Sequence, residues 1–355
     1  MASYISTRPS GGALRPPASP SSSAVRSMSP PPPSKKTTAK ALVDTGSASS
    51  ILTAAPPPSG VFECSEESAL FSRGVRRFLQ REAGATKAKA AATIRAEEFG
   101  AGDGQPVLAA LSHLKPPSAA VAVHVTSFDL CPVAAACARR NAASFHSSSL
   151  PHRYDVRCGD FFLAAAATTA TGDGRDAEEA PLLLANPPYV PAPSADGLLL
   201  PGLFGGRDGA DVTRRLLALP RYRGALLVVA GVAAPESVLE AARSNGFRVV
   251  AFEAERLPFG TYTSQPTVRA WIDRLESEGV AHTLSEDGGG YVCAAVEFSR
   301  CDGSDGDGDN NGDGDGNGNG DSDGRSAAAD AVEARLLEAL TATRWDGGAI
   351  FCDSA

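Results

Sequence analysis

TIRAEEFGAGDG, residues 93–104, is the stretch on which the fold turns. TIRAEEF reads as a strand, and Gly100, Gly102 and Gly104 then let the chain turn tightly out of it. A ligand can rest against the bare backbone of such a turn. The spacing is G-x-G-x-G rather than the G-x-G-x-x-G of dinucleotide sites, so alone it is equally a plain glycine turn. Outward from it, strand and helix signals alternate. Strands are predicted at 93–99, 121–128, 154–158, 181–186, 224–232, 247–255 and 290–298. Leu70, Phe71, Val75 and Leu79 have helical spacing, and PESVLEAARSNG (235–246) has Pro at its start and Gly at its end. Repeating β-α units predict an α/β fold with a doubly wound, mostly parallel sheet of seven strands, Rossmann-like in type.

Chemistry-bearing residues fall where these strands end. Glu98 closes the first. Asp129 closes the second, placed to accept from ribose hydroxyls or to cap the helix PVAAACARRNAA. Asp160 closes the third; it can accept from an adenine amino group while Phe161 packs on the base, or be an ordinary loop residue. The fourth strand runs into Asn186-Pro187-Pro188-Tyr189. Four strand ends of a doubly wound sheet converge on one crevice, and the ordered set is far more specific than any member.

That order of motifs resembles the class I S-adenosylmethionine-dependent methyltransferases, and the tetrapeptide resembles those that methylate planar amino or amide nitrogens. The likeness is greatest to the HemK family of protein-glutamine methyltransferases, in its short eukaryotic-archaeal branch without an N-terminal helical domain. VFECSEESALF (61–71) is similar to that branch's V-Y-E-P-x-E-D-[ST] opening, and LFGGRDGADVTRRLL (203–217) to its glycine-rich stretch after the tetrapeptide. The resemblance covers about residues 60–255. Cys64 stands where Pro is usual, TIRAEEF is polar for a buried parallel strand, and 256–289 is longer than in that branch. The resemblance implies S-adenosyl-L-methionine as cofactor, held by Glu98, Gly100, Gly102, Gly104, Asp129, Asp160, Phe161 and Asn186. It implies a protein glutamine acceptor, as on a translation factor. RNA or DNA amino groups are the alternative substrate, and a degenerate fold serving as a binding protein is the alternative of another class.

A planar amide or aryl amine is a poor nucleophile, because its lone pair is delocalised. To take a methyl group it must be held in line with the C–S bond with its two hydrogens turned away. The Asn186 side-chain carbonyl and the Pro187 backbone carbonyl each accept one hydrogen in this reading. Pro187 and Pro188 stiffen the turn, and Tyr189 lies flat on the substrate group. Arg207, in GGRDGAD, is a candidate anion contact, and PFGTYTSQP (258–266) a candidate lid with Tyr262 and Gln265 as contacts.

Residues 1–43 hold six Lys/Arg and no acid, amid Ser, Ala and Pro, a composition suited to a chloroplast or other organelle transit peptide, with a cytoplasmic location as the alternative. Residues 302–324 hold eight Asp and no base. With both segments set aside, a net charge of −8 becomes −6, without the global positive field usual in nucleic-acid binders. Asp313, Asp315, Asn317 and Gly318 match the opening of a calcium loop, but its twelfth position is Gly324. The Cys and His show no ligand spacing, so no metal is expected, and no apolar run is long enough for a bilayer span. The predicted organisation is a disordered leader at 1–59, a methyltransferase domain at 60–300, a disordered Asp/Gly-rich linker at 301–325, and a helix and tail at 326–355.

Overall fold

The computed structural model describes residues 64–85, 93–114, 121–146, 150–170, 180–285, 289–301, 322–346 and 348–354. All belong to the unit Ala54–Ala355; the unit Met1–Thr53 lies outside them. The expected leader (1–59) and the Asp/Gly-rich stretch 302–321 also lie outside the described residues.

The strands are β1 (Thr93–Phe99), β2 (Ala122–Asp129), β3 (Arg153–Cys158), β4 (Leu182–Ala185), β5 (Gly224–Ala230), β6 (Phe247–Leu257), β7 (Tyr291–Arg300) and β8 (Ile350–Asp353). They form one eight-stranded sheet in the order β3-β2-β1-β4-β5-β7-β6-β8. From β3 to β5 every pairing is parallel; β7 runs antiparallel between β5 and β6, and β8 antiparallel on β6. The helices are α1 (Ser65–Ala85), α2 (Gln105–Ser112), α3 (Pro132–His146), α4 (Phe161–Ala170), α5 (Asp211–Leu217), α6 (Pro235–Ser244), α7 (Pro266–Ser277) and α8 (Ser322–Leu340). Apolar residues of α1, α2, α3 and α7 pack with Ile94, Val123, Leu184 and Leu226 on one face. Those of α5, α6 and α8 pack with Leu183, Leu227, Val249 and Val296 on the other. The fold is therefore α/β and doubly wound, as the alternating signals predict.

One expectation needs correction, and one departure needs an explanation. The sheet has eight strands rather than seven, because Ile350–Asp353 adds to the edge beyond β6. Only Cys352 of that strand is buried, so it carries no apolar alternation to read; the Arg81–Asp353 ion pair at 2.7 Å and Arg77 over the Phe351 ring help hold it. The second concerns TIRAEEF, whose polarity departs from a buried parallel strand. Ile94, Ala96 and Glu98 face one core, while Glu97 on the other face accepts from Arg221 and from the Tyr222 hydroxyl, both at 2.6 Å. Its charge is matched within the layer, which makes a polar strand tolerable there.

α1 matters most for the site. It buries Glu67, Leu70, Phe71, Gly74, Val75, Phe78 and Leu79 as one stripe. Gly74 lets it approach the sheet so closely that a Cβ there would stand 2.7 Å from that of Ala295. On its flank Arg73, Arg77 and Arg81 pair with Glu253, Glu255, Glu297 and Asp353 of the sheet.

Candidate active site

The sheet reverses its winding between β1 and β4, and ligands of such sheets bind outside the strand ends at that point. Phe99 pairs with Ala185, so Gly100 and Asn186 leave the sheet side by side. Glu98 pairs with Leu184, and by the alternation of strand side chains Asn186 emerges on the same face as Glu98. The Gly100 and Ala101 N–H groups donate to the Phe128 carbonyl, tying the glycine turn to the end of β2. Gly100, Gly102 and Gly104 all take positive φ, at 77°, 54° and 75°. A Cβ on Gly100 or Gly102 would meet nothing within 4 Å, whereas one on Gly104 would stand 3.0 Å from the Tyr154 hydroxyl. The first two glycines border open space, and the third lets α2 begin close to Tyr154.

The three acids serve the protein first. Glu98 is 2% exposed and accepts from the Tyr154 hydroxyl at 2.7 Å; burial pushes its carboxyl up to about 8. Its carboxyl is shielded from solvent and held by Tyr154, whose hydroxyl borders Gly104. Asp129 clamps two turns, accepting from Gly102 N–H at 2.9 Å and Cys131 N–H at 2.7 Å, while burial raises its carboxyl above the usual range. Asp160 caps α4, its Oδ1 accepting from the Phe162 and Leu163 N–H groups at 2.8 and 3.2 Å. Its Oδ2 makes no bond among the described residues.

The base-packing role expected of Phe161 is corrected. Its ring is 3% exposed, edge-on to Phe99 and Phe128 at 5.5 Å each and stacked on Tyr222 at 6.4 Å, so it belongs to the core. The apolar side chains that do face out at these strand ends are Leu130, 70% exposed, and Leu163, 72% exposed. A Leu one residue after Asp129 and three after Asp160 was the signal that sequence reading passed over.

At the fourth strand end, Asn186 Nδ2 donates to Glu67 Oε1 at 2.6 Å, and the Tyr189 hydroxyl donates to Glu67 Oε2 at 2.5 Å. The Tyr189 and Tyr291 hydroxyls are 3.0 Å apart. Asn186 Oδ1 is shielded from solvent and has no hydrogen-bond partner among the described residues. No N–H among the described residues donates to the Pro187 carbonyl. Tyr189 is 7% exposed and packs edge-on to Tyr291, so its ring is a buried brace and does not lie flat over a substrate as expected. Burial raises its hydroxyl well above the ordinary range.

The glycine-rich stretch after the tetrapeptide packs directly on it. Val190 N–H donates to Leu203 O and Gly205 N–H to Val190 O, each at 3.0 Å. A Cβ on Gly205 would stand 2.6 Å from Tyr189 Cα and 2.7 Å from Pro188 O. The segment 256–285 braces this loop in turn. Gln265 Oε1 accepts from Leu199 N–H at 2.8 Å, its Nε2 donates to Tyr262 O at 2.6 Å, and Trp271 Nε1 donates to Arg207 O at 2.6 Å. The Arg207 guanidinium lies 5.0 Å from the Trp271 ring centre. Gln265 is thus a strut, and Arg207 is stacked on Trp271.

Glu67 is the site residue that sequence reading missed. Its signal was an acid in phase with Leu70, Phe71 and Gly74 on an otherwise apolar stripe. Among the described residues, no group of three or more His, Cys, Asp or Glu could hold a metal ion, and no helix is long and apolar enough to cross a membrane.

No protein-family model matches the chain, and no curated protein matches it. Among solved structures, the Mtq2-Trm112 complex of E. cuniculi, described as responsible for methylating the eRF1 translation termination factor, is 14% identical with a TM-score of 0.34, over 68% of this chain and 98% of that one. A SAM-dependent methyltransferase from Agrobacterium tumefaciens is 16% identical with a TM-score of 0.35, over 68% and 62%. One from Thiobacillus denitrificans, in complex with S-adenosyl-L-homocysteine, is 15% identical with a TM-score of 0.32, over 67% and 92%. At these scores the likenesses carry no weight for activity; the fold assignment rests on the strand order and pairing above.

Proposed function

We propose that the chain is an S-adenosyl-L-methionine-dependent N-methyltransferase acting on a planar nitrogen, the side-chain amide of a glutamine in a protein. One observation carries this reading: a shielded carbonyl oxygen, Asn186 Oδ1, left without a donor at the switch point of a doubly wound sheet. An unpaired buried acceptor costs about 1–3 kcal/mol, so it calls for an explanation, and a ligand's N–H supplies one.

The residues present fit the cofactor. Open backbone at Gly100 and Gly102, spare lone pairs on Asp129 and Asp160, and outward Leu130 and Leu163 together suit a nucleoside with hydroxyls and a flat base whose faces pack on apolar side chains. When bound, it supplies a methyl group whose bond to sulfur breaks, the electron pair leaving with sulfur, as the bond to nitrogen forms and nitrogen releases a proton to water. Asn186 Oδ1 and the Pro187 carbonyl accept the two hydrogens of the substrate NH2, which aims the lone pair at the methyl group. These acceptors strengthen their hold as positive charge grows on nitrogen, so they favour the transition state over the ground state. The composition of the leader supports delivery to a chloroplast.

The test is labelled methyl transfer into a cell extract, with acceptor material treated by protease or by nuclease. Protease-sensitive, nuclease-resistant label is the expected result. Nuclease-sensitive label would replace glutamine by a nucleobase amino group, which presents the same flat NH2. No calorimetric binding of S-adenosyl-L-methionine would leave only a binding protein of degenerate fold.

A further inference from the structure

We propose that Glu67 is a positioning residue that dictates which end of the Asn186 amide faces the acceptor nitrogen. This rests on the methyl-transfer reading and adds to it the group that sets the amide. Glu67 comes from the first turn of α1, 119 residues away in sequence, and is 2% exposed. Both its oxygens are engaged, Oε1 by Asn186 Nδ2 and Oε2 by the Tyr189 hydroxyl. Among the described residues no Lys or Arg pairs with it.

A buried carboxylate without a cation is costly, and a Leu in that stripe would pack at no such cost. What it gives in return is selection. The two ends of an Asn side chain are almost the same shape, and a carboxylate accepts but does not donate. Glu67 therefore takes the NH2 end and turns Oδ1 the other way, where it stands without a partner. Were the amide reversed, its NH2 would confront the NH2 of the substrate, donor against donor. The negative charge at one end of the amide also polarises it and makes Oδ1 a better acceptor. The same carboxylate pins Tyr189, so α1 fixes the tetrapeptide at two points.

Burial raises the Glu67 carboxyl above the ordinary range, while the bonds from Tyr189 and Asn186 lower it. The titratable groups around it are Cys64 and Glu66 on its own segment, Tyr189 after β4, and Tyr291 and Cys293 on β7; their burial raises all but Glu66. Glu67 is thus the member of the cluster that loses its charge as pH falls, and turnover falls with it.

The experiment compares Glu67→Gln and Glu67→Leu with the full wild-type chain. With Asn labelled by nitrogen-15, the Asn186 side-chain NH2, identified by its loss in Asn186→Ala, exchanges slowly in wild type and in Glu67→Gln, and rapidly in Glu67→Leu. The melting temperature of Glu67→Leu moves little, since relief of the buried charge's desolvation offsets the acceptor lost to Asn186 Nδ2 and to the Tyr189 hydroxyl, which keeps Tyr291 as a partner. Methyl transfer to extract protein falls about 100-fold in Glu67→Leu and about 10-fold in Glu67→Gln, which also loses the acid limb of the pH profile, with S-adenosyl-L-methionine affinity within about threefold throughout. Slow exchange of the Asn186 NH2 in Glu67→Leu would overturn the proposal, as would a lowered melting temperature with activity tracking the folded fraction, which is the mark of a mere structural brace. If wild type methylates nothing, the methyl-transfer reading fails by itself, and the exchange and melting results still decide what Glu67 does.

Discussion

The ends of β1, β2 and β3 and the end of β4 lie side by side but are built on opposite plans. Along the first three, every acid has a partner within the protein. Glu98 holds Tyr154, Asp129 holds two turns together, and Asp160 caps a helix. At the fourth, the end of the Asn186 amide turned away from Glu67, Oδ1, has no partner among the described residues. The contrast separates binding from chemistry. A surface that must hold a cofactor in one place is improved by internal bonds, which stiffen it before the ligand arrives. A group that must act in a transition state has to keep its bonding capacity free until then.

Breaking the first region should cost affinity. Asp129→Asn keeps the shape but removes the charge shared by Gly102 and Cys131, so S-adenosyl-L-methionine should bind about 10–100-fold more weakly by calorimetry, in line with about 1.5–3 kcal/mol for a hydrogen bond to a charged group. Turnover at saturating cofactor should change little.

Phe161 and Leu163 sharpen the same boundary. Phe161→Leu should lower stability by about 1–2 kcal/mol in urea denaturation and leave cofactor affinity unchanged, because the ring sits in the core. Leu163→Ser should do the reverse, with stability within about 0.5 kcal/mol of wild type and a measurably higher Kd. If Phe161→Leu weakened binding without loss of stability, the ring would belong to the pocket after all.

Glu98 provides a pH-dependent version. Its value in the folded chain, about 8, lies above the ordinary 4.5, so its contribution to stability is full below about 4.5 and is lost as pH rises through about 8. Glu98→Gln is neutral throughout. Relative to that variant, wild type should lose stability over this window by no more than about 1.4 kcal/mol per pH unit, as read by denaturation series from pH 5 to 9. A difference that stays constant with pH would show that Glu98 is not held in this way.

The smallest effect concerns the leader. A fluorescent fusion of residues 1–50 should enter chloroplasts, and deleting those residues should leave cofactor affinity within about twofold, since the site is built from the unit that begins at Ala54. Diffuse cytosolic fluorescence would remove the address.

Much of this was legible in the residues, for physical reasons that also explain the misses. Strand signals were clear where burial is two-sided, as in LLLA and GALLVVA, and TIRAEEF was placed at 93–99 despite its polarity because the glycines after it mark its end. IFCD could not be read, since an edge strand with one buried residue has no pattern. Asp160 stands immediately before a helix, where Asp is a favoured N-cap, so sequence offered two uses for it and the packed helix shows the cap through Oδ1 while leaving Oδ2 open. Phe161 and Phe162 are adjacent, and sequence does not say which of two neighbouring rings turns inward. Glu67 could have been found from its phase on the apolar stripe of α1, but that it reaches Asn186 depends on a contact 119 residues apart, which only the packed helix reveals.

The central claim is that Asn186 acts on the transition state and not on the bound cofactor. The decisive measurement is the single-turnover rate of methyl transfer to extract protein by Asn186→Ala, taken with S-adenosyl-L-methionine at saturation by its own calorimetric Kd. The rate should fall about 10²–10³-fold while Kd moves by less than about threefold. A rate equal to wild type would contradict the account.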